Sequence, residues 1–100
     1  MKDGYIFVGQ HWRDLFHRVE FYYHPGRIEC WALLNRGRIR YFTELQAMLD
    51  YAATAKLIKP GTLPTIRINL AQAEADIDSK SFSDRWENPE ASMQSFRITR

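Results

Sequence analysis

The chain has a single cysteine, Cys30. Without a second thiol, no intramolecular disulfide holds the fold, and that usage suits a reducing compartment. Long apolar runs are also missing. No stretch approaches the ~18 consecutive apolar residues that a membrane span requires, so no membrane partner is expected. The opening Met1-Lys2-Asp3-Gly4-Tyr5 carries no apolar segment of signal-peptide length, so a cytoplasmic location is expected. Charge of one sign does not dominate: 14 Lys and Arg face 12 Asp and Glu, a balance that neither demands nor excludes nucleic acid.

Chemical motifs are equally scarce. His11, His17, His24 and Cys30 are spaced six, seven and six residues apart, and none of these is the short pair that places two ligands on one zinc ion. Lys59-Pro60-Gly61-Thr62 lacks the glycine spacing of a phosphate loop and follows a helical pattern rather than a strand. Asp76, Asp78 and Asp84 lack the spacing and the glycine of a calcium loop. A Cys–His nucleophile would need an exposed thiol of depressed pKa, whereas Cys30 falls on a strand face that reads as buried. No catalytic residue, metal site or cofactor is therefore assigned.

What is present is a packable interior: 45% of the residues are hydrophobic and 14% aromatic, enough for one domain of this length. The expected fold is α+β: an antiparallel β-meander of about four strands with one main α-helix on one face. Residues 5–9 read as a strand rich in β-formers, and 10–17 as a loop with a helical turn. Residues 18–23 and 28–34 read as a hairpin about His24-Pro25-Gly26-Arg27, because Pro followed by Gly presets a type II turn. A four-residue connection pairs Tyr23 with Ile28, Phe21 with Cys30 and Val19 with Ala32, giving an apolar face. A strand at 38–42 follows the turn at Asn35-Arg36-Gly37 and adds Ile39 and Tyr41 to it. Phe21, Ile39 and Leu49 are accordingly expected to share the core, and Cys30 to resist thiol reagents.

Thr43-Glu44-Leu45-Gln46 reads as a capping box. Leu45, Met48, Leu49, Ala52 and Ala53 then form an apolar stripe at helical spacing, so a helix is expected over 44–56. Ile66, Ile68 and Leu70 alternate with polar residues, so residues 64–71 read as a further strand. Residues 1–72 hold ten cations against six acids, and 73–100 hold four against six. The second part reads as an acidic, partly ordered C-terminal segment in which 73–90 is the least protected stretch. Phe82, Trp86, Met93, Phe96 and Ile98 hint at docking, and 95–99 at an added edge strand.

The opposite face of the expected sheet carries Arg18, Tyr22, Trp31, Arg38, Arg40 and Phe42, with Glu20 and Glu29 among them. Arginines interleaved with aromatics suit a protein-binding hot spot or the stacking of bases. The plainer alternative is that the tail or a second copy of the chain covers them. The function expected is a small non-catalytic binding protein, an adaptor, inhibitor or regulator of a larger protein or assembly. Trp31, Arg38 and Arg40 would form its centre. A nucleic-acid-binding module on the same face is the alternative, and homodimerisation is left open.

Overall fold

The computed structural model describes residues 4–87, with side chains described as far as Lys80. Four antiparallel strands form a meander in the order β1-β2-β3-β4: β1 (Ile6–Asp14), β2 (His17–Tyr23), β3 (Trp31–Asn35) and β4 (Arg38–Phe42). Two helices follow, α1 (Leu45–Thr54) and α2 (Leu63–Glu87), joined through a short 3-10 turn at Pro60–Thr62. The α+β meander with a helix on one face is as expected; the second helix and several boundaries are not.

The first strand runs through residues 10–14, where a loop was expected. Its hairpin with β2 turns on Leu15 and Phe16, which carry none of the usual Gly or Asn turn chemistry. Asp14 substitutes for it: its carboxylate accepts the Phe16 N–H at 2.9 Å and the His17 Nδ1 at 2.7 Å. An irregularity between Trp12 and Asp14 adjusts the register beside this turn.

The connection from β2 to β3 is longer than the Pro-Gly signal implies. Arg27 N–H does reach the His24 carbonyl, at 3.4 Å, but the strand does not restart there. Gly26 is not among the positive-φ glycines, so the turn is not type II; its N–H donates instead to His24 Nδ1 at 2.9 Å. The loop closes only where His24 N–H donates to the Cys30 carbonyl at 2.8 Å. Tyr23 therefore faces Trp31, Phe21 faces Leu33 and Val19 faces Asn35. That pairing is three residues away from the expected one. Three is odd, so the faces of β3 are exchanged. The β3–β4 turn keeps its expected pairing, Leu33 with Arg40 and Leu34 with Ile39, so β4 is inverted along with β3.

The core lies between the sheet and the helices. Val19, Phe21 and Tyr23 of β2, Trp31 and Leu33 of β3, Met48, Leu49 and Ala52 of α1, Ile58, and Leu70 of α2 are buried. Ile39 is not among them: it is exposed on the other face. Cys30 lies outside any strand and is half-buried.

The helices also depart from expectation in detail. The N-cap of α1 is Glu44, extended and without a side-chain cap; Gln46 bonds Asp50 at 2.8 Å rather than the backbone. At its far end, Leu57 N–H donates to the Ala52 carbonyl and Lys56 N–H to that of Ala53, with Lys56 at φ 61°. This is a Schellman closure with lysine where glycine is usual. Residues 64–71 are helical, not a strand. Leu63, Ile66, Leu70 and Ile77 pack toward the core, a 3-4 stripe that the alternation of Ile66, Ile68 and Leu70 conceals, while Ile68 points to solvent. The helix continues through 73–87, so the acidic stretch begins as an integral element. The expected tail contacts of Met93, Phe96 and Ile98 and the 95–99 strand lie outside the described residues, as do the side chains of Phe82 and Trp86.

These assignments predict unequal effects along α2. Leu70→Ala should cost about 2–5 kcal/mol in a denaturant titration, as large-to-small core changes do, and Ile68→Ala less than about 1 kcal/mol. Similar losses for the two would restore the strand reading of 64–71. Ile39→Ala should likewise be mild beside Leu49→Ala.

Candidate functional site

The six residues expected to form one surface are divided by the register. Trp31, Arg38, Arg40 and Phe42 lie on the helix-bearing face; Arg18 and Tyr22 lie on the other. Trp31 is 1% exposed, its ring 4.8 Å from that of Tyr23. It is a core residue, and the proposal that it centres a binding surface is overturned. Phe42 pairs with it across the sheet and meets Tyr51 of α1 at 5.7 Å. The Arg40 guanidinium lies 4.7 Å over the Tyr51 ring, which fastens the exposed edge strand to α1. Arg38 opens β4 beside the β3–β4 turn and is exposed.

The face without helices is built from the intervening residues. The register sets Phe7, Tyr22, Ala32 and Tyr41 in one row and Gln10, Glu20, Leu34 and Ile39 in the next, with Trp12 beside Arg18 beyond them. Phe7 and Tyr22 meet edge to face at 5.6 Å, and Tyr5 and Tyr41 lie 5.6 Å apart. Ala32 is fully buried between its tyrosine neighbours. Phe7, Trp12, Ile39 and Tyr41 nevertheless remain exposed. The polar groups here are paired within the face. Arg18 bonds Glu20 at 2.8 Å and lies 5.3 Å over the Trp12 ring. Tyr22 donates to Glu20 at 2.6 Å, and that bond, then burial, raises its pKa.

The chemistry on the helix-bearing side is structural. Tyr23 donates to Asp78 of α2 at 2.8 Å. Burial, and then this bond, push its pKa well above the usual range. Burial, and then Asp78, also raise the pKa of Glu74. Burial raises the Cys30 thiol too, the reverse of what a nucleophile needs. Its Sγ lies 3.7 Å from the Thr43 carbonyl. The His11 ring accepts the Lys59 N–H at 3.4 Å; burial and then Lys59 lower its pKa. Among the described residues no group of three His, Cys, Asp or Glu could hold a metal ion, and no helix is long and apolar enough to cross a membrane.

Sequence reasoning missed Phe7, Trp12, Leu34, Ile39 and Tyr41 as surface residues. One usable signal was present: Asp14, two residues before Phe16 and three before His17, marks a side-chain-closed turn. A turn there would have extended β1 and placed Trp12 opposite Arg18. Comparison with family models, curated proteins and solved structures finds no match for this chain, so the site rests on its own geometry.

Because burial favours the neutral phenol of Tyr23, the associated stability is present in full below the ordinary tyrosine pKa of about 10. It fades as pH rises above that value, since the unfolded chain gives up the proton first. Ultraviolet titration should show Tyr23 ionising later than an ordinary tyrosine, together with unfolding, and Tyr23→Phe should remove that late step. Ionisation of Tyr23 in the ordinary tyrosine range without unfolding would contradict the part-buried Tyr23–Asp78 bond.

Proposed function

We propose that this protein is a non-catalytic binding module that docks on a larger protein through the open face of its sheet, acting as an adaptor, inhibitor or regulator. The observation carrying this reading is the continuous aromatic and aliphatic surface of Phe7, Trp12, Tyr22, Leu34, Ile39 and Tyr41 on a face that no described element covers. Scattered exposed apolar residues are ordinary, but a contiguous set on a rigid sheet is the usual mark of an interface. Tyr and Trp, which with Arg dominate hot spots, are in it, and Arg18 lies at its border.

The charge around the patch supports a partner of complementary chemistry. Arg18, Arg27 and Arg36 border it, while Glu20 is held by Arg18 and Tyr22. A partner surface with an apolar centre and an acidic rim complements it. The internal pairing of Arg18 favours a protein over nucleic acid as ligand, because phosphate binding would compete with an ion pair already made.

Photocrosslinking from position 41 in nuclease-treated lysate of the source cell identifies the partner for purification. Phe7→Ser and Tyr41→Ser should each weaken its binding by about 2 kcal/mol, the hot-spot threshold, with little effect on stability. Undiminished binding by both variants, or capture that nuclease abolishes, would refute the proposal. Sedimentation showing a dimer broken by the same substitutions would assign the face to a second copy of the chain instead.

A further inference from the structure

The tip of the β1–β2 hairpin has no structural explanation in the fold. Leu15 and Phe16 occupy its two turn positions and are each 84% exposed. Turn positions favour Gly, Asn and Asp, and two large apolar side chains held in water there add nothing to the core. Trp12, 48% exposed, lies one step back on β1.

A basic pole surrounds this tip. The β1–β2 turn, the β3–β4 turn and the end of α1 meet at one end of the sheet, bringing together Arg13, Arg18, Arg36, Arg38, Lys56 and Lys59. Arg13 ties the elements by donating to the Lys56 carbonyl at 2.8 Å. The acids at this end are Asp14 and Glu20, both already engaged: Asp14 by His17, Arg13 and the Phe16 amide, and Glu20 by Arg18 and Tyr22. A cleft of about 280 Å³ beside the tip is lined by Arg13, His17, Arg18, Arg36 and Leu57.

Backbone geometry supplies an independent observation. Among the described residues, Arg36 (φ 54°) and Lys56 (φ 61°) are the non-glycine residues with positive φ. Asn or Gly would suit both positions better. Both sit at the basic pole, so strain is tolerated where a cation is placed, and such strain collects at functional sites.

We infer that this pole docks on the surface of an anionic lipid bilayer, with Leu15 and Phe16 entering the interface and Arg36, Arg38, Lys56 and Lys59 meeting lipid phosphates and carboxylates. An apolar tip ringed by cations matches both layers of such a surface at once. The turn can leave water because Asp14 already satisfies the Phe16 amide. Trp12 lies at the level of the headgroups, the depth indole rings prefer. The acids Glu74, Asp76 and Asp78 lie on the part of α2 that has passed the sheet to its other end, where Asp78 meets Tyr23. The charge separation therefore presents the basic pole to the bilayer. Among the described residues no helix is long and apolar enough to cross a membrane, and contact with a bilayer surface needs none. Nucleic acid would use the cations but has no place for Leu15.

The test is co-sedimentation of the full chain with phosphatidylcholine vesicles, with and without phosphatidylserine, following Trp emission. Binding to the anionic vesicles alone, with a blue shift lost in Trp12→Phe, is expected. Leu15→Ser with Phe16→Ser should weaken it roughly 10-fold or more. Arg36→Asn with Lys56→Gly should do the same, at about fivefold per cation near the surface. That second pair suits the left-handed backbone, so a loss of binding cannot be assigned to unfolding. Equal binding to neutral vesicles, no binding to either, or full binding by the Leu15–Phe16 variant would overturn the inference. So would a salt-sensitive affinity for duplex DNA that exceeds the affinity for anionic vesicles.

Discussion

The pairing of β2 with β3 decides which side of the sheet each later residue occupies. Its determinant is the hydrogen bond from His24 N–H to the Cys30 carbonyl, which closes the connecting loop and sets Tyr23 against Trp31. Burying a tryptophan removes on the order of 200 Å² from water, about 5 kcal/mol as an upper figure, so this register carries a large reward. Once Trp31 and Leu33 face inward beside Phe21 and Tyr23, the short β3–β4 turn sends Ile39 and Tyr41 outward. The helices cover the first set and leave the second open. The core and the candidate interface are thus two consequences of one register.

Polar contacts then lock the helices over that core. Tyr23 reaches α2 through Asp78, Arg40 lies on Tyr51 of α1, and Arg13 holds the end of α1 against β1. Leu70 of α2 rests over Gly9 of β1. Since α2 runs back along the sheet from the hairpin end, Glu74, Asp76 and Asp78 collect at the pole opposite Leu15 and Phe16. One end of the molecule is consequently basic with an apolar tip, and one sheet face is aromatic. The two proposed contacts use different surfaces and share Trp12, Arg18 and Arg36 at their border.

The residues made the meander, β4 and the helix beginning near Leu45 legible, because period-2 and period-3.6 patterns are strong there. They hid the register, because the Pro25-Gly26 signal announces a turn without saying how soon the next strand begins. Three extra loop residues, Ile28 to Cys30, were enough to exchange the faces of β3 and β4 and to scatter the arginine–tryptophan constellation. The stretch from Thr65 to Leu70 misled for another reason. Its β-branched residues alternate like a strand, while the helix-forming Ala71 to Ala75 that follow, and the packing of Leu70 and Ile77, favour a helix. Arg18 and Tyr22 were placed on the correct face because β2 precedes the misjudged loop.

The most direct test of this register is acrylamide quenching of tryptophan fluorescence in two single-tryptophan variants. One retains Trp31 (Trp12→Phe, Trp86→Phe) and the other Trp12 (Trp31→Phe, Trp86→Phe). The account predicts that native Trp31 is shielded and emits to the blue, while Trp12 is quenched readily. Trp31 quenched as freely as Trp12 in the folded protein would contradict it, and with it the placement of both the core and the open face.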